Sequence, residues 1–249
     1  MAVFNLDAVS AHIISNGYFD LKHLKALVSE LGAQNFNLNE KYFIDVGANI
    51  GNHSVFLADY FERVIAFEPH PRTFKLLEAN ALLKSNIRCK NIALGAEQAK
   101  LSISTDLLNM GRNKLVNQNG NGYNEVNVVK LDDCLQAMGN SIGLIKIDVE
   151  GHEAAVLRGG SQFLKSYHPP IVIEILQDEI KNGSSESFEI LKTLGYNKFK
   201  IFNDGFLQKS LLDKLMFNFG FNDRVDNVFE PIDTTLPEIE ISMLLAMKQ

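Results

Sequence analysis

The chain has 249 residues, 46% of them hydrophobic, and 24 Lys and Arg against 30 Asp and Glu give a formal charge of -6. That is enough apolar sequence for one full α/β core with a small extension, and the acidic balance argues against gripping a nucleic acid by its phosphates. No apolar run reaches the length that spans a bilayer, residues 1–7 lack a basic region followed by an apolar run, so no secretory leader is expected, and Cys89 and Cys134 form no metal-type cluster and read as reduced packing residues of a cytoplasmic protein.

Residues 1–40 read as a helical N-terminal extension. Val9, Ile13 and Ile14 make a short apolar stripe, and Leu21, Leu24, Leu27, Val28 and Leu31 a longer one, with Asp20 as N-cap and Gly32 as stop. From residue 41 to 249 the pattern alternates. A strand over 42–46 leads to a helix over 52–61, a strand over 63–67 to a helix over 71–84, and a strand over 88–93 follows. Pro71 falls in a first helical turn, where its missing N–H costs little. Residues 95–142 break the rhythm, with strands expected over 100–104 and 125–129. The polar run between them, 105–124, reads as a lid or binding loop. Strands over 143–148 and 171–175 flank a helix over 153–165, interrupted near Gly159 and Gly160. A helix over 187–194 and strands over 198–202 and 240–247 complete the series. The last two strands have no helix between them, which predicts an antiparallel addition. The whole predicts a mostly parallel sheet with helices on both faces.

Ligands of such sheets bind outside the carboxyl ends of the strands. Asp45, Glu68, Asp148 and Glu174 fall at or near those ends. The first end carries Gly47 and Gly51, spaced G-x-x-x-G rather than the G-x-G-x-x-G of a dinucleotide site. Asp45 would repel a pyrophosphate there but would welcome an ammonium or a sulfonium. The expected cofactor is therefore S-adenosylmethionine. Glu68 is expected on its ribose, accepting two charge-assisted hydrogen bonds from the hydroxyls. The glycines let the backbone approach closely, with a plain tight turn as the alternative. Asn49, Asn52 and Ser54 either meet the cofactor tail or cap the next helix. After the fourth strand of the series, Asp148 could face the methyl being moved. Glu150, His152 or Glu153 could take a proton from a substrate hydroxyl, His152 having the best-matched pKa. Glu153 is better read as a first-turn acid. Asp148 with Glu174 could hold a divalent cation, but no metal is expected.

Phe43-Ile44-Asp45-Val46-Gly47-Ala48-Asn49-Ile50-Gly51, Val64-Ile65-Ala66-Phe67-Glu68-Pro69, Asn91-Ile92-Ala93-Leu94-Gly95 and Ile145-Lys146-Ile147-Asp148-Val149-Glu150-Gly151-His152-Glu153 together resemble the FkbM family of S-adenosylmethionine-dependent methyltransferases. The likeness runs from about Lys41 to Ile175, and Asn109-Met110-Gly111 is loosely similar to an element of the family's middle insertion. It implies the seven-stranded class I methyltransferase fold, Rossmann-like, over residues 41–249. It implies cofactor contacts on the glycine loop and Glu68, and Pro69 and Ala93, inside the second and third motifs, join that set. The family's activities imply O-methylation of a hydroxyl on a sugar, glycolipid, polysaccharide or polyketide. A small-molecule or glycan acceptor is therefore expected, with no nucleic acid, no membrane span, and a homo-oligomer left open. The alternatives are a non-catalytic module that keeps the cofactor crevice and an N-methyltransferase of another small molecule.

Overall fold

The computed structural model describes residues 1–4, 8–34, 37–104, 115–116, 123–203, 228–232, 235–237 and 241–248. Most of the predicted 105–124 loop, Asn109-Met110-Gly111 included, lies outside the described residues. Two helices, α1 (Ala8–Asn16) and α2 (Leu21–Ala33), precede β1 (Tyr42–Val46). Then come α3 (Asn52–Leu57), β2 (Arg63–Phe67), α4 (Pro71–Ala81), β3 (Ile87–Lys90), β4 (Ala93–Gly95), β5 (Ala99–Ser104), β6 (Leu115–Val116) and β7 (Tyr123–Lys130). The second half comprises α5 (Leu131–Leu135), β8 (Ile142–Ile147), α6 (Glu153–Gly159), α7 (Ser161–Tyr167), β9 (Ile171–Ile175), α8 (Glu186–Thr193), β10 (Lys198–Asn203), β11 (Val228–Ile232) and β12 (Ile241–Met247).

Among the described residues the main sheet has eight strands in the order β11-β10-β12-β9-β8-β1-β2-β3. Seven of them correspond to the expected sheet, and β11 adds an eighth at the edge that the sequence did not reveal. Strands β3, β2, β1, β8 and β9 run parallel, while β12 is antiparallel to both β9 and β10. A second sheet, β4-β7-β5-β6, is built from the segment that broke the alternation. The single strand expected over 88–93 divides between the two sheets. Asn91 stands at the division, its Nδ2 donating to the carbonyls of Glu68 at 2.8 Å and Pro69 at 3.0 Å. The interruption at Gly159 and Gly160 is real and separates α6 from α7. A Cβ on Gly159 would sit 1.9 Å from the Gly95 carbonyl oxygen, so only glycine lets α6 lie against β4. Asp132 then starts α7, accepting from the amide of Phe163 at 2.8 Å and of Gln162 at 3.2 Å.

Alternation along the strands decides what faces where. Ile44 and Val46, Ile145 and Ile147, and Ile171, Ile173 and Ile175 pack with α6, α7 and α8 in one core. Phe43, Leu144 and Val172 pack on the opposite face, together with Leu24, Leu27 and Leu31 of α2. By the same parity Asp45, Lys146 and Glu174 share the α2 face. Asp20 stands at the N-cap position, as expected, but its side chain makes no capping hydrogen bond and its backbone is left-handed, φ 53°. Among the described residues no helix is long and apolar enough to cross a membrane.

Leu24 is wholly buried. Leu24→Ala is expected to cost about 2–5 kcal/mol, the usual loss for a core leucine with its residual cavity. Urea unfolding measures it. A loss under half a kcal/mol would make α2 a loosely attached appendage.

Candidate active site

A cavity of about 360 Å³ opens at the carboxyl ends of β1, β2, β8 and β9. Gly47, Ala48 and Asn49 form one side, Glu68 and Pro69 the next, and Ile92, Ala93, Leu94, Ile103 and Leu115 an apolar wall. Lys146, Asp148, Glu150 and Glu174 also line it, with Val172 and Met243. Its volume lies within the usual range for small-molecule sites.

The glycine loop is shaped by its neighbours in the protein. A Cβ on Gly47 would stand 1.8 Å from the backbone oxygen of Asp148, and Gly47 has φ +76°. On Gly51, at φ +88°, a Cβ would meet Leu77 at 2.8 Å. Both positions demand glycine whatever the cavity holds, and Gly51 is not part of the cavity lining. The loop's amides at Gly47 and Ala48 both donate to the carbonyl of Phe67, at 3.0 and 2.9 Å, pinning it over β2.

A buried ionic cluster of Asp45, Lys146 and Asp148 reaches the cavity wall through the last two. Asp45 is fully buried and does not line the cavity, contrary to its expected direct contact with a cofactor. The pleat turns it down between strands, where Ser54 Oγ donates to it at 2.6 Å and Lys146 Nζ stands 3.4 Å away. Lys146 Nζ also lies 3.1 Å from Asp148 and donates to the Gly47 carbonyl at 3.2 Å. Burial opposes the Lys146 charge, but Asp148 and Asp45 outweigh it and raise its pKa. Burial would likewise raise Asp148, but the Lys146 ammonium holds it below the usual carboxylate range. Glu174 moves the other way, pushed up to about 9 by burial, the Asp148 charge and a hydrogen bond to Asp148. At neutral pH Glu174 therefore carries the proton and donates it to a charged Asp148.

Glu68 is 7% exposed and both its oxygens take backbone donors, Asn49 N at 3.0 Å and His70 N at 2.8 Å. Burial lifts its pKa to about 7 against those two hydrogen bonds. Each oxygen retains a further lone pair for a ligand. The side chain of Asn52 reaches the lining, but its amide is committed to Phe19, donating to the carbonyl and accepting from the N–H, each at 2.9 Å. His152, expected as a base, does not line the cavity. Left-handed backbone at Glu150 (φ 55°) and Gly151 (φ 90°) reverses the chain, leaving Glu150 in the lining. The His152 ring lies against Gly95 instead, 3.1 Å from where a Cβ there would be. Glu153 accepts from the amides of Val149 at 2.9 Å and Gly151 at 3.3 Å, the first-turn role expected of it. His53 was not anticipated. It lines the cavity one residue into α3, and burial plus the Lys146 charge depress its pKa to about 4, so the imidazole is neutral. Its place just after the glycine loop was the signal available for finding it.

Oxygens of Asp148, Glu150 and Glu174 lie within 4.8 Å of one another. Such a set could hold a hard divalent cation, but the proton shared by Asp148 and Glu174 already relieves that pair. Folded Glu174 keeps its proton to about pH 9, whereas its ordinary value is 4.5. The folded chain thus binds more protons between those values, and its stability falls as pH rises through them. Glu174→Gln should flatten the decline above about pH 7 and lessen it below, where the Glu68 contribution remains. Urea unfolding across the pH series is the measurement, and an unchanged slope would remove the proton from Glu174.

The sequence model of the family described as the Methyltransferase FkbM domain matches residues 45–201. "Methyltransferase 1" of Beauveria bassiana is 29% identical over 146 residues, 49% of this chain and 59% of that protein. "Hexuronic acid methyltransferase AglP" of Haloferax volcanii is 29% identical over 132 residues, 51% of this chain and 53% of that protein. The chain thus aligns with little more than half the length of each of these relatives. Magnesium protoporphyrin IX methyltransferase (ChlM) from Synechocystis PCC 6803, solved with bound SAM, superposes with a TM-score of 0.51 at 10% identity, over 100% of this chain and 87% of that one. That likeness establishes the class I methyltransferase fold alone. Matched over more than half its length, through the glycine loop, Glu68 and the acidic end of the cavity, the chain belongs to the FkbM methyltransferase domain family.

Proposed function

We propose that the chain is a methyltransferase that binds S-adenosylmethionine in this cavity and methylates a hydroxyl of a sugar-like small molecule or glycan. The observation that carries the reading is Glu68, a carboxylate steadied by two loop amides at the edge of an apolar slot. A ribose diol fits its remaining lone pairs, and an adenine fits between Ile92, Ala93, Leu94 and Ile103. Asn49 and Pro69 also line the cavity, and Asp148 marks its acidic end, which suits a sulfonium. When bound, the cofactor supplies a sulfonium methyl group open to attack by an oxygen.

The residues of this chain align the acceptor and receive its proton. Alignment accounts for most of the acceleration in a direct displacement. Asp148, ionised beside Lys146 and 36% exposed at its side chain, is the base for the acceptor hydroxyl. Asp148 would take the proton that the acceptor hydroxyl gives up on methylation. Glu174 donates to the same carboxylate and keeps it oriented. Glu150, at the cavity edge, and the neutral His53 are the polar groups next to the acceptor. The hexuronic acid named for the archaeal relative supports a sugar-derived acceptor.

Glu68→Ala is expected to raise the dissociation constant for S-adenosylmethionine by the equivalent of about 1.5–3 kcal/mol, the range for hydrogen bonds to a charged group. Isothermal calorimetry measures it. An unchanged constant removes Glu68 from the ribose. Incubation of the wild-type chain with S-adenosylmethionine and a panel of neutral sugars and uronates, followed by quantification of S-adenosylhomocysteine, tests the activity itself. Binding without turnover on any acceptor would favour a non-catalytic module.

A further inference from the structure

The family match begins at residue 45, yet Phe19 and Asp20 line the cavity. They are held there by an identifiable device. Asn52, at the start of α3, makes both hydrogen bonds that a peptide unit can offer, each at 2.9 Å, to the backbone of Phe19. Asn80 of α4 repeats the arrangement with the N–H and carbonyl of Ala2, and its Nδ2 also reaches the Ile50 carbonyl of the glycine loop at 2.8 Å. The buried leucines of α2 fix the other end of the segment. The chain before β1 is therefore stitched to the loop that forms one side of the cavity.

Asp20 is the charged group this device delivers. Its left-handed backbone gives up the capping bond an N-cap aspartate ordinarily makes. The carboxylate stays 31% exposed, with His23 Nδ1 3.7 Å away. Burial raises its pKa; His23, His12 and Lys146 oppose that rise, while the charge of Asp148 adds to it. The Lys146 ammonium is already shared between Asp45 and Asp148. A carboxylate placed in that position favours a cationic occupant.

We infer that Asp20 is a ligand of the site, its carboxylate holding the positively charged methionine end of the cofactor from the segment stitched to the glycine loop, with Asn52 as the positioning residue that seats it. The inference rests on the S-adenosylmethionine reading given above.

Calorimetric titration of the full chain with S-adenosylmethionine and, separately, S-adenosylhomocysteine tests it. Asp20→Asn removes the charge while keeping a residue that tolerates left-handed backbone. Asp20→Gly does the same without a side chain. Both should melt like the wild type and bind about tenfold or more weakly, as loss of a charge-assisted contact requires. A loss with both ligands places Asp20 on the ammonium, and a loss confined to S-adenosylmethionine places it on the sulfonium; either upholds the inference. Asn52→Leu should weaken binding too, and pairing it with Asp20→Asn should add little further loss. Wild-type affinity in both Asp20 variants would overturn the inference while leaving the cofactor reading intact. A wild-type chain that binds neither compound would overturn both.

Discussion

The site depends on one buried cation. Lys146 lies in β8 beside Asp45 of β1, in register, near the middle of the main sheet. An ammonium in that position is costly unless its neighbours repay its lost hydration. Three groups do so: Asp45 below, Asp148 at the strand end, and the Gly47 carbonyl. Because Asp45 and Gly47 belong to β1 and its loop while Lys146 and Asp148 belong to β8 and its exit, the same contacts that make the charge tolerable fix the loop and β1 against the exit of β8. The acidic end of the cavity inherits its protonation pattern from this arrangement, with Asp148 charged and Glu174 neutral.

Much of this could be read from the amino-acid order. The strands that carry Asp45, Glu68, Asp148 and Glu174 are short, apolar and separated by helical periodicity, and strand ends are where ligands gather. What resisted reading was direction after a strand stops. Inside a strand, parity assigns a face; past it, two left-handed residues sent His152 away and left Glu150 behind. Asp45 shows the converse, since parity alone puts it with Lys146 and under the floor. The reason for Gly47 was also hidden, because the atom that excludes a side chain there, the Asp148 carbonyl, is a hundred residues away in sequence. The docking of α2, and with it the position of Asp20, is likewise a tertiary outcome that a single amphipathic stripe does not specify.

The cavity is assembled from three sources with different structural logic. The main sheet provides the charged groups at its strand ends. The smaller sheet, built from the segment that interrupts the alternation, provides Ile103 and Leu115, so that irregular stretch contributes apolar wall. The segment ahead of β1 closes the remaining side. Only the first of these is dense in the motifs that mark the family. The central ion cluster of Asp45, Lys146 and Asp148 belongs wholly to the main sheet and its strand ends.

The Glu68 carboxyl gains or loses its proton near pH 7, and burial is what brings it there. A diol that donates two hydrogen bonds prefers the ionised form. A ligand that donates hydrogen bonds to Glu68 would therefore displace its proton, and by reciprocity acidity would compete with that ligand. Retention of such a ligand would then respond to small drifts of pH around neutrality.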